Sequence, residues 1–241
     1  MEEKHLEKEI VYIAELDADV DDVIAAEYLH KKGVLKAVVC DPSPITSEGI
    51  ERMKQLEKLG IEVADKIPDK VKYIFVGGAL TKLSEYLVFH RIECLVMNGG
   101  FVGDNIVKEP LRKFSGKKVV RTFNFNCDVV ATDSVLSSKN IDTIILVGKN
   151  VCHNMKNTLD GIWKREKLLL EKYHARNDKR QHDMLACREG LILLGLLDEK
   201  SYLEYKIVHP YNTGLKGNMT EWGCTLDKSP YRSVLAAINW R

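Results

Sequence analysis

The sequence predicts an α/β protein with a doubly wound, mostly parallel and open sheet. Short apolar segments alternate with segments of helical spacing along most of the 241 residues. Several short segments are continuous Val, Ile and Leu runs, which is typical of strands covered on both faces. Strands that alternate with helices favour parallel pairing. We expect one domain over residues 1–241, with a Rossmann-like core.

The elements follow from these runs in order. The predicted strands are Ile10–Glu15, Leu35–Cys40, Lys72–Val76, Cys94–Met97, Lys118–Arg121 and Thr143–Val147. The predicted helices are Asp21–Lys32, Ser47–Leu59, Leu80–Phe89, Val129–Ser138, Thr158–His174 and His182–Leu197. Ser47 is the expected N-cap of its helix, which Gly60 ends. Towards the C-terminus we expect a strand at Tyr205–His209 and a last helix around Val234–Asn239.

The composition predicts a globular protein without a nucleic-acid or membrane partner. The chain is 45% hydrophobic and 29% charged, and its formal net charge is +1. It can therefore bury a large core, and it has no basic surplus for nucleic acid. No apolar run approaches the roughly 20 residues that span a bilayer, and the N-terminus lacks an apolar signal core. Six cysteines without a CxxC pair favour buried thiols in a reducing compartment, so we expect a cytoplasmic protein.

A cluster of acidic residues follows the first predicted strand. Its members, within one short stretch, are Glu15, Asp17, Asp19, Asp21 and Asp22. A strand that turns directly into a helix places them at the carboxyl edge of the sheet, where open α/β folds bind ligands. Crowded carboxylates repel one another, and a divalent cation keeps them ionised. The simpler alternative is a helix cap by Asp21 or Asp22 with the rest solvated, but a cap uses one carboxylate, and we favour a metal site.

Further motifs along the chain resemble those of the inosine–uridine-preferring nucleoside hydrolase family. The matching segments are Asp17-x-x-x-Asp21-Asp22, Gly78-Ala79-Leu80-Thr81, Met97-Asn98-Gly99-Gly100 with Asn105, Phe123-Asn124-x-x-x-Asp128, His182-Asp183 and Leu215–Thr220. The first and the His182-Asp183 pair are the specific ones, and the glycine turns corroborate them. The resemblance covers nearly the whole chain and implies a nucleoside-hydrolase-like fold.

The resemblance also implies a bound Ca²⁺. Its ligands would be Asp17, Asp22, the carbonyl oxygen of Gly77, and Asp183. Carboxylate and carbonyl oxygens suit Ca²⁺ and no thiophilic metal. The remaining coordination positions would take ribose hydroxyls and a water.

The implied activity is N-ribosyl (nucleoside) hydrolysis, in which oxocarbenium character develops on the ribose. Asp17 is the expected general base for the attacking water, and His182 is expected to protonate or hydrogen-bond the leaving base. Asp21, Asn124 and Asn105 are expected to bind the ribose. The expected partner is a small-molecule nucleoside or riboside, with a role in nucleoside salvage. A homodimer or homotetramer is expected by analogy.

Three departures from the family pattern affect the expected pocket. A Gly-Asn pair is replaced by Cys40-Asp41, so either Asp41 or Ser43 takes over a ribose contact or that contact is absent. Thr122 stands where the family has a Glu near the 5′ side of the ribose. The segment Val63–Lys70 replaces a longer lid. These changes favour a nucleoside that is modified at the 5′ carbon or carries a bulky base.

Two alternatives stay open at this stage. Leu16-Asp17-Ala18-Asp19-Val20 also fits the start of haloacid-dehalogenase-like phosphatases, which use an Asp nucleophile and Mg²⁺, although no late acidic pair follows. The other alternative is a non-catalytic protein that binds a nucleoside or ribosyl compound through the metal. Ribose release that requires Ca²⁺ would indicate a nucleoside hydrolase, and phosphate release with Mg²⁺ would indicate a phosphatase. Binding without turnover would indicate the non-catalytic protein.

Overall fold

An open sheet of ten strands crosses the part of the chain that the computed structural model describes, which is residues 9–18, 20–153, 181–214 and 219–241. The strands are β1 (Ile10–Ala14), β2 (Leu35–Cys40), β3 (Val63–Ala64), β4 (Tyr73–Val76), β5 (Ile92–Asn98), β6 (Val119–Val120), β7 (Ile141–Val147), β8 (Leu203–Asn212), β9 (Trp222–Thr225) and β10 (Val234–Trp240). They lie in the order β3-β2-β1-β4-β5-β7-β10-β8-β9-β6.

The sheet is parallel from β3 through to the pairing of β7 with β10. In β1, Ile10–Ala14 is buried throughout because the strand is covered on both faces. The mainly apolar composition of β1, β2 and β5 fits that double coverage. The predicted mostly parallel, open α/β sheet is therefore confirmed.

The C-terminal strands extend the sheet with antiparallel pairing, and here one prediction is wrong. The segment Val234–Asn239, expected as a helix, lies in β10, which pairs with β7 on one side and β8 on the other. A short apolar run has no periodicity that separates a strand from a buried helix. Pairing on both sides satisfies the backbone groups of this run, so tertiary context decides for the strand. The strand expected at Tyr205–His209 lies within β8.

The described helices are α1 (Asp21–Lys31), α2 (Ser47–Lys58), α3 (Thr81–Tyr86), α4 (Phe123–Cys127), α5 (Val129–Ser137), α6 (Lys149–Cys152) and α7 (His182–Leu193), with a 3₁₀ turn at Arg112–Phe114. Five of the predicted helices are present and begin within one residue of their predicted starts, whereas the two short helices α4 and α6 were not predicted. Thr46, rather than Ser47, caps α2, because its Oγ1 accepts a hydrogen bond from the Gly49 amide at 2.9 Å. The helix expected at Thr158–His174 lies outside the described residues. Of the helices described here, none has the length and apolarity to cross a membrane.

The packing of the two faces brings two helix N-termini to one crevice. α1 and α7 pack against each other on one face, and α3 and α5 contact each other. Separate hydrophobic clusters lie on the two sides of the sheet. From β1 the chain runs outwards to β2 and β3, then returns to β4 on the other side of β1. A reversal of this kind opens a crevice beyond the carboxyl ends of the strands, where ligands bind in open α/β sheets.

Candidate active site

A polar cavity of about 330 Å³ lies in this crevice. Its volume is within the roughly 300–1,000 Å³ that is typical of small-molecule sites. The residues that directly follow β1 and β4, and the last residue of β5, contribute to its wall. The lining residues are Glu15, Ala18, Asp21, Asp22, Gly77, Asn98, Gly99, Thr122, Phe123, Asn124, Lys149, Cys152, His153, His182 and Asp183.

Three buried carboxylates form the centre of the cavity wall. Asp21 and Asp22 are the first two residues of α1, and Asp183 is the second residue of α7. One carboxylate oxygen from each lies within 4.8 Å of the others. Because α1 and α7 are packed together, residues distant in sequence meet here. We call Asp21, Asp22 and Asp183 the acidic trio.

Neighbouring groups fix two members of the trio. The buried Tyr12 hydroxyl, on β1, donates to Asp22 Oδ1 at 2.6 Å. Asn98 Nδ2, at the end of β5, donates to Asp183 Oδ1 at 2.5 Å. Each carboxylate thus has a donor from the strand beneath it, an arrangement that orients metal ligands in proteins.

Gly77 makes room for the trio because it has no side chain. A Cβ atom at this position would lie 2.3 Å from Asp22 Oδ1 and 2.8 Å from Asp183 Oδ1. Any side chain at Gly77 would therefore collide with two of the three carboxylates. The predicted proximity of Gly77 to Asp22 and Asp183 agrees with this arrangement.

The surroundings of Asp22 disfavour its ionised form. Burial, and then the charge of neighbouring Asp21, raise the pKa of Asp22 well above its ordinary value. Two other acids, Glu15 and Asp183, line the same cavity. A cation removes this cost by attracting all the carboxylates at once. The donor set is carboxylate oxygen, which fits Ca²⁺ or Mg²⁺ better than a thiophilic metal.

Asp17, predicted as a metal ligand and general base, lies elsewhere in the structure. Its carboxylate accepts hydrogen bonds from the Ile45 amide at 3.0 Å, the Thr46 amide at 3.0 Å and the Thr46 hydroxyl at 2.7 Å. Burial acts to raise the pKa of Asp17, but these hydrogen bonds outweigh it and lower the pKa. The structure thus places Asp21, not Asp17, beside Asp22 and Asp183, and Asp17 joins the β1–α1 turn to the start of α2.

Glu15 holds the backbone of the same turn. Its two carboxylate oxygens accept from the amides of Asp17 and Ala18, both at 2.9 Å. Glu15 is only 5% exposed, and it lines the cavity. It therefore shapes the turn that leads into α1.

The residues predicted to bind substrate divide into two groups. Asn124 and Thr122 line the cavity, and Asn124 Nδ2 donates to the Asn98 carbonyl oxygen at 2.7 Å. Asp41 and Asn105 do not line it. Asp41 Oδ2 accepts from the Lys82 amide at 2.7 Å and so supports the start of α3, while Asn105 lies exposed in the loop after β5.

A pair of histidines forms another part of the wall. His182, the first residue of α7, lines the cavity as predicted, and its ring centroid is 5.0 Å from that of His153. His153 Nδ1 lies 2.6 Å from Lys113 Nζ, and its ring meets Phe114 edge-on. His182 can carry a proton close to the acidic trio, because it precedes Asp183 in the chain.

Several lining residues were not predicted from the sequence. In the sequence, Asn98 stands out only as part of the Met97–Gly100 motif, and His153 belongs to no motif. Lys149 and Cys152 carried no motif signal at all. The available signal was position: Asn98 ends a strand, and the other three follow β7 within one short helix, at the same edge of the sheet.

Fold and cavity together define an open α/β protein with a carboxylate-rich, small-molecule site at its switch point. No protein-family model matches the chain. An uncharacterized protein of Aquifex aeolicus is 30% identical over 186 residues, which are 70% of this chain and 60% of that protein. The chain thus spans less than two thirds of that relative's length.

A likeness among solved structures agrees with this fold. The crystal structure of the inosine-uridine preferring nucleoside hydrolase from Bacillus anthracis superposes with a TM-score of 0.57 at 17% identity. The match covers 96% of this chain and 94% of that one. At this identity the likeness establishes the fold, and function has to be argued from the site.

Proposed function

We propose that this protein hydrolyses the N-glycosidic bond of a ribonucleoside or a related N-riboside, and that it needs Ca²⁺ to do so. The acidic trio carries the proposal, because three buried carboxylates with oxygens within 4.8 Å of one another could hold a cation at the wall of the cavity. The resemblance of the motifs and the likeness of fold support the same reaction. The products are the free base and ribose.

Asp21, Asp22 and Asp183 would hold the cation, with Gly77 leaving room beside them. When bound, the cation would attract the hydroxyls of a ribose and lower the pKa of a water. Asp22 and Asp183 are each fixed by a donor, Tyr12 and Asn98 respectively. We assign the acceptance of the water's proton to Asp21, in place of Asp17, whose carboxylate is held by Thr46 outside the cavity wall.

The remaining wall provides for the sugar and the base. We assign the ribose contact to Asn124, which lines the cavity and donates through Nδ2 to the Asn98 carbonyl oxygen at the end of β5. His182 is assigned to the leaving base, to which it donates a proton as the glycosidic bond breaks. Water adds its hydroxyl to the anomeric carbon, and the base nitrogen receives the proton.

A reducing-sugar assay with a panel of ribonucleosides tests the proposal. The protein, stripped with EGTA, is expected to release no ribose until Ca²⁺ is restored. Asp227→Asn, an exposed acid on the loop after β9, is the matched control and should behave like the wild type. Absence of sugar release from every nucleoside and every 5′-substituted nucleoside, with Ca²⁺ and with Mg²⁺, would exclude the proposal. Binding without turnover would then favour a non-catalytic nucleoside-binding protein.

The phosphatase alternative fits the structure less well. It requires Asp17 as a nucleophile inside the cavity, and the Asp17 carboxylate instead accepts three donors from Ile45 and Thr46. Phosphate release from a phosphate ester in the presence of Mg²⁺ would favour it all the same. The same protein sample serves for both assays.

A further inference from the structure

The cavity contains a buried hydroxyl that has no partner. Thr122 is 1% exposed and lines the cavity, and its Oγ1 forms no hydrogen bond with any described residue. The carbonyl oxygen of Thr122 is already used, because it accepts from the amide and the side chain of Asn126. A buried polar group without a partner costs stability unless a ligand supplies one.

An ammonium group contributes to the same cavity wall and binds the backbone just before Thr122. Lys149 lines the cavity, and its Nζ donates to the Arg121 carbonyl oxygen at 2.6 Å, on the peptide that leads into Thr122. An ammonium has three donors, so this bond leaves capacity for a ligand. Lys149 forms no ion pair with a described carboxylate, and burial lowers its pKa. An anion beside it would offset that burial.

The positively charged side chains of the cavity lie at one part of its wall. Lys149 is the one Lys or Arg among the described residues that line the cavity. His153, one helical turn further along α6, contacts Lys113 Nζ, which brings a second ammonium close to this wall. The rest of the charged lining is acidic: Glu15 and the acidic trio. The cavity thus has separate places for a cation and for an anion.

We propose that the substrate carries a phosphate group on the 5′ carbon of its ribose, bound by Lys149 and the Thr122 hydroxyl. This inference rests on the proposed function. With the ribose hydroxyls at the trio and the base at His182, the 5′ carbon is the remaining position for an anionic substituent. A phosphate offers several acceptor oxygens, enough for both the ammonium and the hydroxyl.

The reaction then acts on a nucleoside 5′-monophosphate. Water adds across the bond between the anomeric carbon and the base: the hydroxyl goes to carbon and the proton to the base nitrogen. The phosphate ester stays intact, so the products are the free base and ribose 5-phosphate.

The kinetic test compares nucleosides with their 5′-monophosphates in wild type, Lys149→Met, Thr122→Val and the control Lys139→Met. Lys139 is exposed after α5 and away from the cavity. The wild type should prefer the monophosphate in kcat/KM. Loss of a charge-assisted contact should lower this preference about 30-fold in Lys149→Met and about fivefold in Thr122→Val. Lys139→Met should keep it.

A binding test separates failure of the inference from failure of the proposed function. Calorimetry with Ca²⁺ present should show that ribose 5-phosphate binds more tightly than ribose, and that Lys149→Met removes the difference. Equal binding, or a difference that survives in Lys149→Met, would overturn the inference even if nucleosides are hydrolysed. Tight, Lys149-dependent binding without hydrolysis of any nucleoside or monophosphate would overturn the proposed function instead.

A third arm uses a riboside whose base carries a carboxylate and whose 5′ position is a plain hydroxyl. If Lys149→Met selectively weakens turnover of this riboside and not of the monophosphates, the anion lies on the base and the 5′ assignment is wrong. Thermal unfolding checks that the variants stay folded. Lys149→Met should match the wild type, since Lys149 is only partly buried, and Thr122→Val should be at least as stable, because it removes a buried hydroxyl that no described residue satisfies.

Discussion

Asp17 and Asp22 lie on the same turn after β1, but their carboxylates have opposite surroundings. Asp17 accepts hydrogen bonds from two backbone amides and a hydroxyl, which favour its ionised form and lower its pKa. Asp22 is buried beside other acids, and burial followed by the charge of Asp21 raises its pKa. The charge of the first carboxylate is already stabilised by hydrogen-bond donors of the protein, whereas the second needs a cation or a proton.

The elements that hold each carboxylate explain the difference. The loop before α2 donates two backbone amides to Asp17. On the same turn, Arg52 Nη1 of α2 donates to the Leu16 carbonyl oxygen at 2.5 Å. Asp22 instead faces α7, which presents Asp183. Asp17 thus joins the β1–α1 turn to the start of α2, and Asp22 forms part of the candidate metal site.

Removing one member of the trio should have the largest effect. Asp183→Asn preserves shape but removes a negative charge from the proposed metal site. Metal assistance is worth several kcal/mol, so we expect ribose release to fall about a thousandfold or more. The measurement is reducing sugar per unit time at saturating Ca²⁺, with calorimetry for Ca²⁺ affinity. Activity within a few-fold of Asp227→Asn would contradict the metal assignment.

Ca²⁺ itself should stabilise the folded protein, and more strongly as the pH rises. At a hundredfold excess over its Kd, a ligand adds about 2.7 kcal/mol to the free energy of unfolding. The raised pKa of Asp22 means that the metal-free protein loses stability as the pH rises above about 4, where the unfolded carboxyl ionises first. Ca²⁺ removes that loss, so the gain in Tm should grow from pH 5 towards pH 8.

Thermal unfolding at several pH values, with Ca²⁺ or with EGTA, measures this gain. Asp183→Asn is the matched control, because it should unfold at the same temperature under both conditions. An equal Ca²⁺ effect in wild type and variant would place the ion outside the trio.

The sequence predicts the fold well because strand and helix periods are local properties. The apolar run Leu35–Cys40 and the helix at Asp21–Lys31 match their predictions to within a residue. Val234–Asn239 could not be resolved in the same way, because its strand is selected by neighbours β7 and β8 that lie far away in sequence.

The sequence predicts that acidic residues meet at one site, but it does not predict every contact that these residues make. Asp22, Gly77 and Asp183 were expected together, and the structure brings them together. The place of Asp17 depends on amides at Ile45 and Thr46, which no motif specifies. Hydrogen-bond competition between a metal site and a loop is a tertiary effect, so residue spacing alone could not determine it.

Removing a hydrogen-bond donor to the trio should have a smaller effect than removing one of its carboxylates. Tyr12→Phe removes the donor to Asp22 without changing shape, and loss of such an orienting group typically costs 10- to 100-fold in metal affinity, which we expect here. Calorimetric titration with Ca²⁺ measures it. Tyr73→Phe, on the neighbouring β4 and partly exposed, is the matched control. Equal affinity in the two variants would show that Tyr12 does not support a ligand.

Asp17→Ala should have the smallest effect on the site, and it is the most direct test of the comparison. It removes the acceptor for Ile45 and Thr46, and loss of a hydrogen bond of this kind costs about 1 kcal/mol in the free energy of unfolding. Because the pKa of Asp17 is lowered, this contribution is present above about pH 4 and disappears as the pH falls through the folded value. Denaturant unfolding of both proteins at pH 7 and at pH 3 measures it.

The Ca²⁺ affinity of Asp17→Ala then decides whether Asp17 is a metal ligand, as the motif predicts, or only a structural residue, as its contacts indicate. If Asp17 only joins the turn to α2, the variant should bind Ca²⁺ nearly as the wild type does, while Asp21→Ala loses it. If Asp17→Ala loses Ca²⁺ and ribose release as completely as Asp183→Asn does, Asp17 leaves Thr46 when the metal binds. The hydrogen bonds at Thr46 would then be a competing resting position for a metal ligand, and Thr46→Val, which removes one of them, should raise Ca²⁺ affinity.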